Sequence, residues 1–185
     1  MKKAFTMIEL VFVLVVIGIL AATIIPRTRT NPVQEAAINL VSQIRYTQHL
    51  AMSDDKYGSS ATWYRDRWQM SFVGNTYSIQ HNDGNDYAKD PLNPANEINA
   101  IELKGLDAFT FTVGNTADAS NPFIISFDYL GRPMVGSLAA SNTAYVAAGN
   151  AGELLSDTCK IKLTNGSETE YIDIERETGY ARIRD

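Results

Sequence analysis

Leu10 to Ile25, LVFVLVVIGILAATII, is a run of apolar residues and Gly in which Thr23 alone adds a polar atom. With Phe5 to Ile8 in front it makes about 20 residues, enough for a helix to cross the hydrocarbon core of a bilayer. Pro26 follows, and Arg27 and Arg29 mark the far edge of the buried stretch. Glu9 breaks the pattern. A carboxylate inside such a helix costs roughly 3 kcal/mol on insertion scales, so it usually has a partner or a task. A cut before Phe5 would put a new amino group four residues from Glu9. The same group on a neighbouring chain could also pair with it.

Two simpler readings stay open on these residues. One is an ordinary secretory signal peptide cut after the Ala21-Ala22 region. The other is an uncleaved membrane anchor. Glu9 argues against the first, because such leaders carry positive charge ahead of the apolar run. Charge does not decide orientation: Lys2 and Lys3 favour a cytoplasmic N-terminus, and Arg27 and Arg29 oppose it.

Beyond the apolar run, residues 31–55 read as a second helical stretch. Val33, Ala37, Leu40, Val41, Ile44, Gln48 and Ala51 recur at helical spacing and give one mostly apolar stripe. Asn31 is a candidate N-cap, with Pro32 at the first helical position. The two stretches are close enough to form one long, bent helix of about 50 residues and about 75 Å. From Trp63 the period becomes two. Trp68, Met70 and Phe72 alternate with Gln69 and Ser71, and Gly74-Asn75 leads to Tyr77 and Ile79. Phe109, Phe111 and Val113 form another alternating set, and Phe123, Ile125 and Phe127 a third before the Gly131-Arg132-Pro133 turn. Cys159, Ile161 and Leu163, a turn at Asn165-Gly166, Ile172 and Ile174, then Ala181 and Ile183 after Thr178-Gly179 spell a meander with one apolar face. That face is expected to pack on the 31–55 helix. Segments 82–97, 114–122 and 136–157 read as loops, and no repeat or second domain is visible.

The length, 185 residues, suits one such domain plus a membrane segment. The formal charge is -5, and loss of Lys2 and Lys3 with a leader would make it more negative. Phosphate binding needs a concentrated positive surface, so the chain is a poor default for nucleic acid. The single cysteine, Cys159, shares an apolar strand face and is expected to be a small core residue. His49 and His81 are the only histidines and belong to no zinc-spacing motif. Asp83, Asp86 and Asp90 in the 83–90 loop could offer oxygens to calcium, but Lys89 sits among them and a solvated loop is the expectation. No phosphate loop or nucleophile elbow appears, so the expectation is a non-enzyme without a cofactor or metal.

Lys2-Lys3-Ala4 followed by Phe5-Thr6-Met7-Ile8-Glu9-Leu10 resembles the leader and cleavage motif of type IV prepilins. The resemblance implies that a membrane peptidase cuts between Ala4 and Phe5 and methylates the new amino group of Phe5. It also implies that Glu9 is the filament-assembly glutamate. Gly18 and Pro26 fall where that family places helix-loosening residues, while Ala4 stands where the family usually has Gly. Further on, Tyr46 to Met52, Phe127-Asp128-Tyr129-Leu130-Gly131-Arg132-Pro133 and Glu177-Thr178-Gly179-Tyr180 resemble the GspH/FimT group of minor pseudopilins.

What this resemblance implies is an α+β fold, with a long N-terminal helix, half transmembrane and half amphipathic, packed against a C-terminal antiparallel β-sheet domain. The parts would be a leader over 1–4, a transmembrane helix over 5–26, an amphipathic half over 27–57 and a β-rich periplasmic domain over 58–185. The implied function is to initiate or cap a periplasmic pseudopilus for type II protein secretion. Its implied partners are other major and minor pseudopilins, the prepilin peptidase and an inner-membrane assembly platform. The implied location is the bacterial inner membrane, single-pass, with the C-terminal domain in the periplasm. The alternative is a FimT-like minor pilin that binds DNA during natural transformation through a C-terminal Gly-Arg-x-Arg motif. The matching stretch is Gly179-Tyr180-Ala181-Arg182, so only Arg182 carries over, with Arg184 beside it. Asp173 and Glu175, on the same strand face, are the expected partners of these two arginines.

Overall fold

The computed structural model describes residues 6–24, 31–81, 86–138, 153–166 and 168–184. The chain divides into two units, Met1–Asn31 and Pro32–Asp185. The expected bend near Pro26 and the charges at Arg27 and Arg29 lie outside the described residues.

The first unit is helix α1 (Met7–Ile24), 18 residues long. Thr6 starts it: its carbonyl accepts the Glu9 and Leu10 N–H groups at 3.1 and 3.2 Å, and its Oγ1 receives the Glu9 N–H at 3.4 Å. A Thr three residues ahead of a Glu is the spacing by which a hydroxyl satisfies one of the free N–H groups of a helix start. Every described side chain of α1 from Met7 to Ala21 is exposed. Among the described residues no helix is long and apolar enough to cross a membrane. At 1.5 Å per residue α1 measures about 27 Å, just short of a ~30 Å hydrocarbon core.

The second unit is α+β. Helix α2 (Pro32–Ser53) lies against two antiparallel sheets. The first sheet contains β1 (Gln69–Val73), β2 (Thr76–His81), β3 (Asp86–Tyr87), β4 (Ile101–Glu102), β7 (Phe123–Phe127), β8 (Pro133–Val135) and β9 (Glu153–Leu154). Its order is β3-β2-β1-β7-β8-β9, and β4 also pairs with β2. The second sheet contains β5 (Ala108–Val113), β6 (Thr116–Asp118), β10 (Cys159–Asn165), β11 (Glu168–Ile174) and β12 (Ala181–Ile183), in the order β12-β11-β10-β5-β6. One antiparallel domain was expected; it is built as two sheets that share the helix.

Register explains the core. Met70 sits opposite Ile79 on one side and Ile125 on the other, and Phe72 opposite Tyr77 and Phe123. In the second sheet Ile161 lies between Phe111 and Ile172, and Cys159 between Val113 and Ile174. All of these except the half-buried Val113 are buried and join Val33, Ala37, Leu40, Val41, Ile44 and Ala51 of α2 in one apolar cluster. Aromatic rings join the sheets. Phe111 of β5 stacks on Phe123 of β7 at 3.9 Å between centroids, and Phe72 of β1 lies 5.1 Å from Phe111.

Two expectations need correction. Strict alternation on β1 implied that Gln69 and Ser71 face water, yet both are buried, and β7 is buried along its whole length. Register places Ile124 and Met134 on the same rear face as Ser71, Gln69 and Ser126, so the first sheet is covered on both sides. On α2, Gln48 was assigned to the apolar stripe. It is half-buried and hydrogen-bonded, while Thr47 is fully buried and returns its hydroxyl to the Gln43 carbonyl at 2.9 Å. Three of the expected loops also carry short strands: β3, β6 and β9.

Removing a large side chain from this core leaves a cavity that close packing cannot refill, at about 2–5 kcal/mol. Ile172→Ala is expected to fall in that range, and Ile38→Ala, at an exposed position of α2, within about 0.5 kcal/mol of wild type. Urea unfolding of the detergent-solubilised chain, followed by tryptophan fluorescence, measures both.

Candidate functional site

Of the residues expected to carry function at the N-terminus, Glu9 is described and Ala4 and Phe5 lie outside the described residues. Glu9 occupies the first turn of α1. The amide dipoles of a helix leave positive charge at that end, so an acid there is favourably placed. Glu9 forms no ion pair with another described residue. It is the one acid in α1, among exposed Met7, Ile8, Leu10, Val11 and Phe12.

The three body segments that carry the resemblance, distant in sequence, meet at one point. Gln48 of α2 donates through Nε2 to the Gly131 carbonyl at 2.9 Å and to the Thr178 carbonyl at 2.7 Å. Gly131 closes the turn after β7, and Gly179 the turn before β12. An added Cβ on Gly179 would lie 2.3 Å from the Gly131 carbonyl oxygen, and its φ is +65°. The position is therefore closed to a side chain by both space and backbone conformation. Asp128 fixes the first of these turns. Its buried carboxylate accepts the N–H groups of Leu130 and Arg132 at 3.0 and 2.8 Å and the Arg132 guanidinium at 2.7 and 2.8 Å. Gln48 is legible in the sequence only by its chemistry, since an amide on an apolar stripe has to find partners at its end of the helix.

The C-terminal arginines stand where the meander placed them. Arg184 makes a two-pronged pair with Asp173, through Nε to Oδ2 at 3.0 Å and through Nη2 to Oδ1. That hydrogen bond raises the Arg184 pKa above its ordinary value. Arg182 faces Asp173 across the β11–β12 ladder and reaches Glu175 Oε1 at 3.8 Å, with half its side chain exposed. Arg176 donates to the Ser156 carbonyl at 2.9 Å and pairs with Glu177 at 3.1 Å. On the adjoining edge of α2, Arg45 donates to the Ala181 carbonyl at 2.8 and 3.2 Å and sits 5.2 Å over the exposed Tyr180 ring.

Cys159 is fully buried, and burial pushes its thiol up to about 12, with Asp118 and Asp173 adding to the shift. A thiol held protonated is a poor nucleophile. Asp83 lies outside the described residues. Asp90 turns its carboxylate to the Leu92 N–H at 2.9 Å, and Asp86 pairs with His81 across β2 and β3. Among the described residues no group of three or more His, Cys, Asp or Glu side chains could hold a metal ion.

His49 is exposed on α2. His81 ends β2, edge-on to Trp68 at 4.3 Å, and its Nδ1 is buried with no hydrogen-bond partner among the described residues. Trp68 donates its indole N–H to Asp54 Oδ2 at 2.9 Å, and Lys56 approaches the same oxygen at 2.6 Å. Burial works to raise the Asp54 pKa, but the hydrogen bonds from Lys56 and Trp68 outweigh it and hold the group below the usual value. Burial and then the Lys56 charge lower the His81 pKa, against the opposing pull of Asp86, Asp54 and Asp66.

Comparison with known proteins finds no matching family, no matching curated protein and no matching solved structure. The class is that of an α+β unit in which one helix packs on two antiparallel sheets, preceded in sequence by an apolar helix with one acid.

The depressed His81 pKa has a definite sign in stability. Below the ordinary histidine value of about 6.5 the unfolded chain binds a proton that the folded chain resists, so stability is full above that pH and declines as pH falls through the window beneath it. Between about pH 7.5 and about pH 5.5 the thermal midpoint of wild type is expected to drop further than that of His81→Gln. Equal drops would show that His81 titrates alike in both states.

Proposed function

We propose that this chain is a minor pseudopilin that helps initiate or cap a periplasmic pseudopilus for type II protein secretion. The observation that carries the reading is α1, apolar on every side with one carboxylate in its first turn, four residues after the point at which Phe5 would become the N-terminus. An unbroken helix over the expected limits, 5–26, would measure about 33 Å and match the bilayer core. It stores the subunit in the inner membrane until the prepilin peptidase frees and methylates the Phe5 amine. Glu9 of an incoming subunit then meets the amine of a neighbour in the assembling filament. The α+β unit stays in the periplasm and supplies contacts to other major and minor pseudopilins. The assembly platform of the inner membrane drives the transfer. The chemistry is assembly rather than turnover. Apolar area is buried between helices, and one ion pair whose desolvation is costly unless it is met sets their register.

Mass spectrometry of the native mature protein is expected to give a chain beginning at methylated Phe5. Glu9→Ala is expected to insert normally in the membrane and to co-purify with partner pseudopilins at least about tenfold less, a loss of roughly 1.4 kcal/mol or more. A start at Met1 or beyond Ile25, or equal co-purification, would refute the reading.

A second reading, DNA capture by a FimT-like minor pilin, draws on Arg45, Tyr180 and Arg182, which put two guanidiniums and an exposed aromatic ring on one edge. Stacking and cationic contacts of this kind hold single strands. Against it, Asp173, Glu175 and Glu177 each engage an arginine there. On the pseudopilin reading the purified chain does not retard DNA in a gel, at low salt or high, and Arg182→Ala changes nothing. Retardation that fades steeply with salt and is lost in that variant would favour DNA capture instead.

A further inference from the structure

One flank of α2 is turned toward the segment between β3 and β5, and a groove runs between them. It consists of two hollows of about 620 and about 450 Å³. Asn39, Tyr77 and Ile101 line both, so the two are continuous. The groove follows α2 from Pro32 to Gln43, about 16 Å along the helix axis.

Its chemistry is one-sided. Among the described residues that line it, the acids are Glu35, Asp90, Glu97 and Glu102, and the one base is Lys104. Lys89 answers Glu97 at 2.8 Å, and Asn75 donates to Glu102 at 3.3 Å. Glu35 has no ion pair among the described residues. This contrasts with the β11–β12 face, where each acid named above is held by an arginine. Gln43 stands on the α2 wall of the groove, and its Oε1 is buried behind that wall without a hydrogen-bond partner among the described residues. At its rim Leu92 is 95% exposed, and Ile101 offers a second apolar side chain at 37%. Fields from one sign of charge are focused in a cleft with low-dielectric walls, and exposed apolar residues beside such a cleft supply the anchor for a complementary chain.

We propose that this groove is a docking site for a cationic segment of a partner protein, one that presents basic residues beside an apolar side chain. Its basic groups lie along Glu35, Glu102 and Asp90, and its apolar residue covers Leu92. The proposal goes beyond the pseudopilin reading and does not depend on it, because docking is measured on the purified chain whatever its N-terminus does in a cell.

The probe is a fluorescein-labelled peptide of about ten residues with four Lys or Arg flanking one Leu. Its control carries Glu at the same four positions. Anisotropy is read with the full chain in neutral detergent, and empty micelles give the background. The basic peptide is expected to bind at least about tenfold more tightly than the acidic one, and to weaken at least about fivefold between about 50 and 300 mM salt. Glu35→Gln with Glu102→Gln is expected to weaken it at least about fivefold and to flatten the salt dependence. Leu92→Ser is expected to weaken it with the salt dependence unchanged. All three positions are exposed, so the variants should melt like wild type. If either melts lower, the other still decides. Equal affinity for the two peptides, no binding above background, or undiminished binding in both variants would overturn the proposal. So would equal competition by spermine, which would indicate a site for small cations.

Discussion

Val33, Ala37, Leu40, Ile44 and Ala51 lose their water to two sheets at once. The first sheet offers Met70, Phe72, Ile79, Phe123 and Ile125, the second Phe111, Cys159, Ile161, Ile172 and Ile174, and α2 packs against both. Burial of a large apolar side chain stabilises by about 1.5–3 kcal/mol, so the stripe ties both sheets to one helix. It also fixes where the turns go. With β7 and β12 both against α2, the turn leaving β7 and the turn entering β12 arrive at the same stretch of helix. There the backbones of Gly131 and Gly179 nearly touch, and Gln48 answers the carbonyls of Gly131 and Thr178. An apolar residue at 48 would leave two carbonyls facing an apolar wall. A larger residue at 179 would push the turns apart.

Local patterns were legible, and non-local ones were not. The C-terminal meander could be read almost residue by residue. Its strands alternate, its turn is Asn165-Gly166, and its partners are neighbours in sequence. The α2 stripe was legible for the same reason. The pairing of β1 with β7, and of β5 with β10, joins segments about fifty residues apart, and nothing in either strand names its partner. Without that pairing the presence of two sheets cannot be inferred. Burial of Gln69, Ser71 and Ser126 could not be inferred either, because small or amide side chains alternating with Met and Phe look like a solvent face until a second layer is known to cover them. β3, β4 and β9 are two residues each, too short for any periodicity to show. The groove flanking α2 is the plainest example. Glu35, Asp90, Glu97 and Glu102 are scattered along nearly seventy residues, and only the fold makes them neighbours.

The distribution of charge says more than its total. Arg176, Arg182 and Arg184 face Glu177, Glu175 and Asp173 at the C-terminal edge, so that edge is close to neutral despite its arginines. Glu35, Asp90 and Glu102, which form no ion pair among the described residues, lie together beside α2. A chain of net charge -5 can therefore present a nearly neutral face and an acidic cleft. Partners sort by which face they meet: a polyanion finds its cations already engaged, and a basic segment finds carboxylates open to it.

Glu9 has a modest local explanation and a stronger one, and the medium decides between them. At the third position of α1, next to the Thr6 hydroxyl, an acid supports the start of a helix in water by a few tenths of a kcal/mol to about 1. A pair with an amine exposed to water is worth no more, because solvent screens it and two groups must be held still. The same pair among Met7, Ile8, Leu10, Val11 and Phe12, with those side chains covered by lipid or by other helices, interacts in a medium of far lower dielectric constant. There an unpaired carboxylate is costly, and a mismatched register leaves it unpaired. A single acid can then select one alignment of neighbouring helices from many that bury equal apolar area. Apolar surface alone has no means of making that selection, and on the proposed function this is what offsets the insertion cost of Glu9.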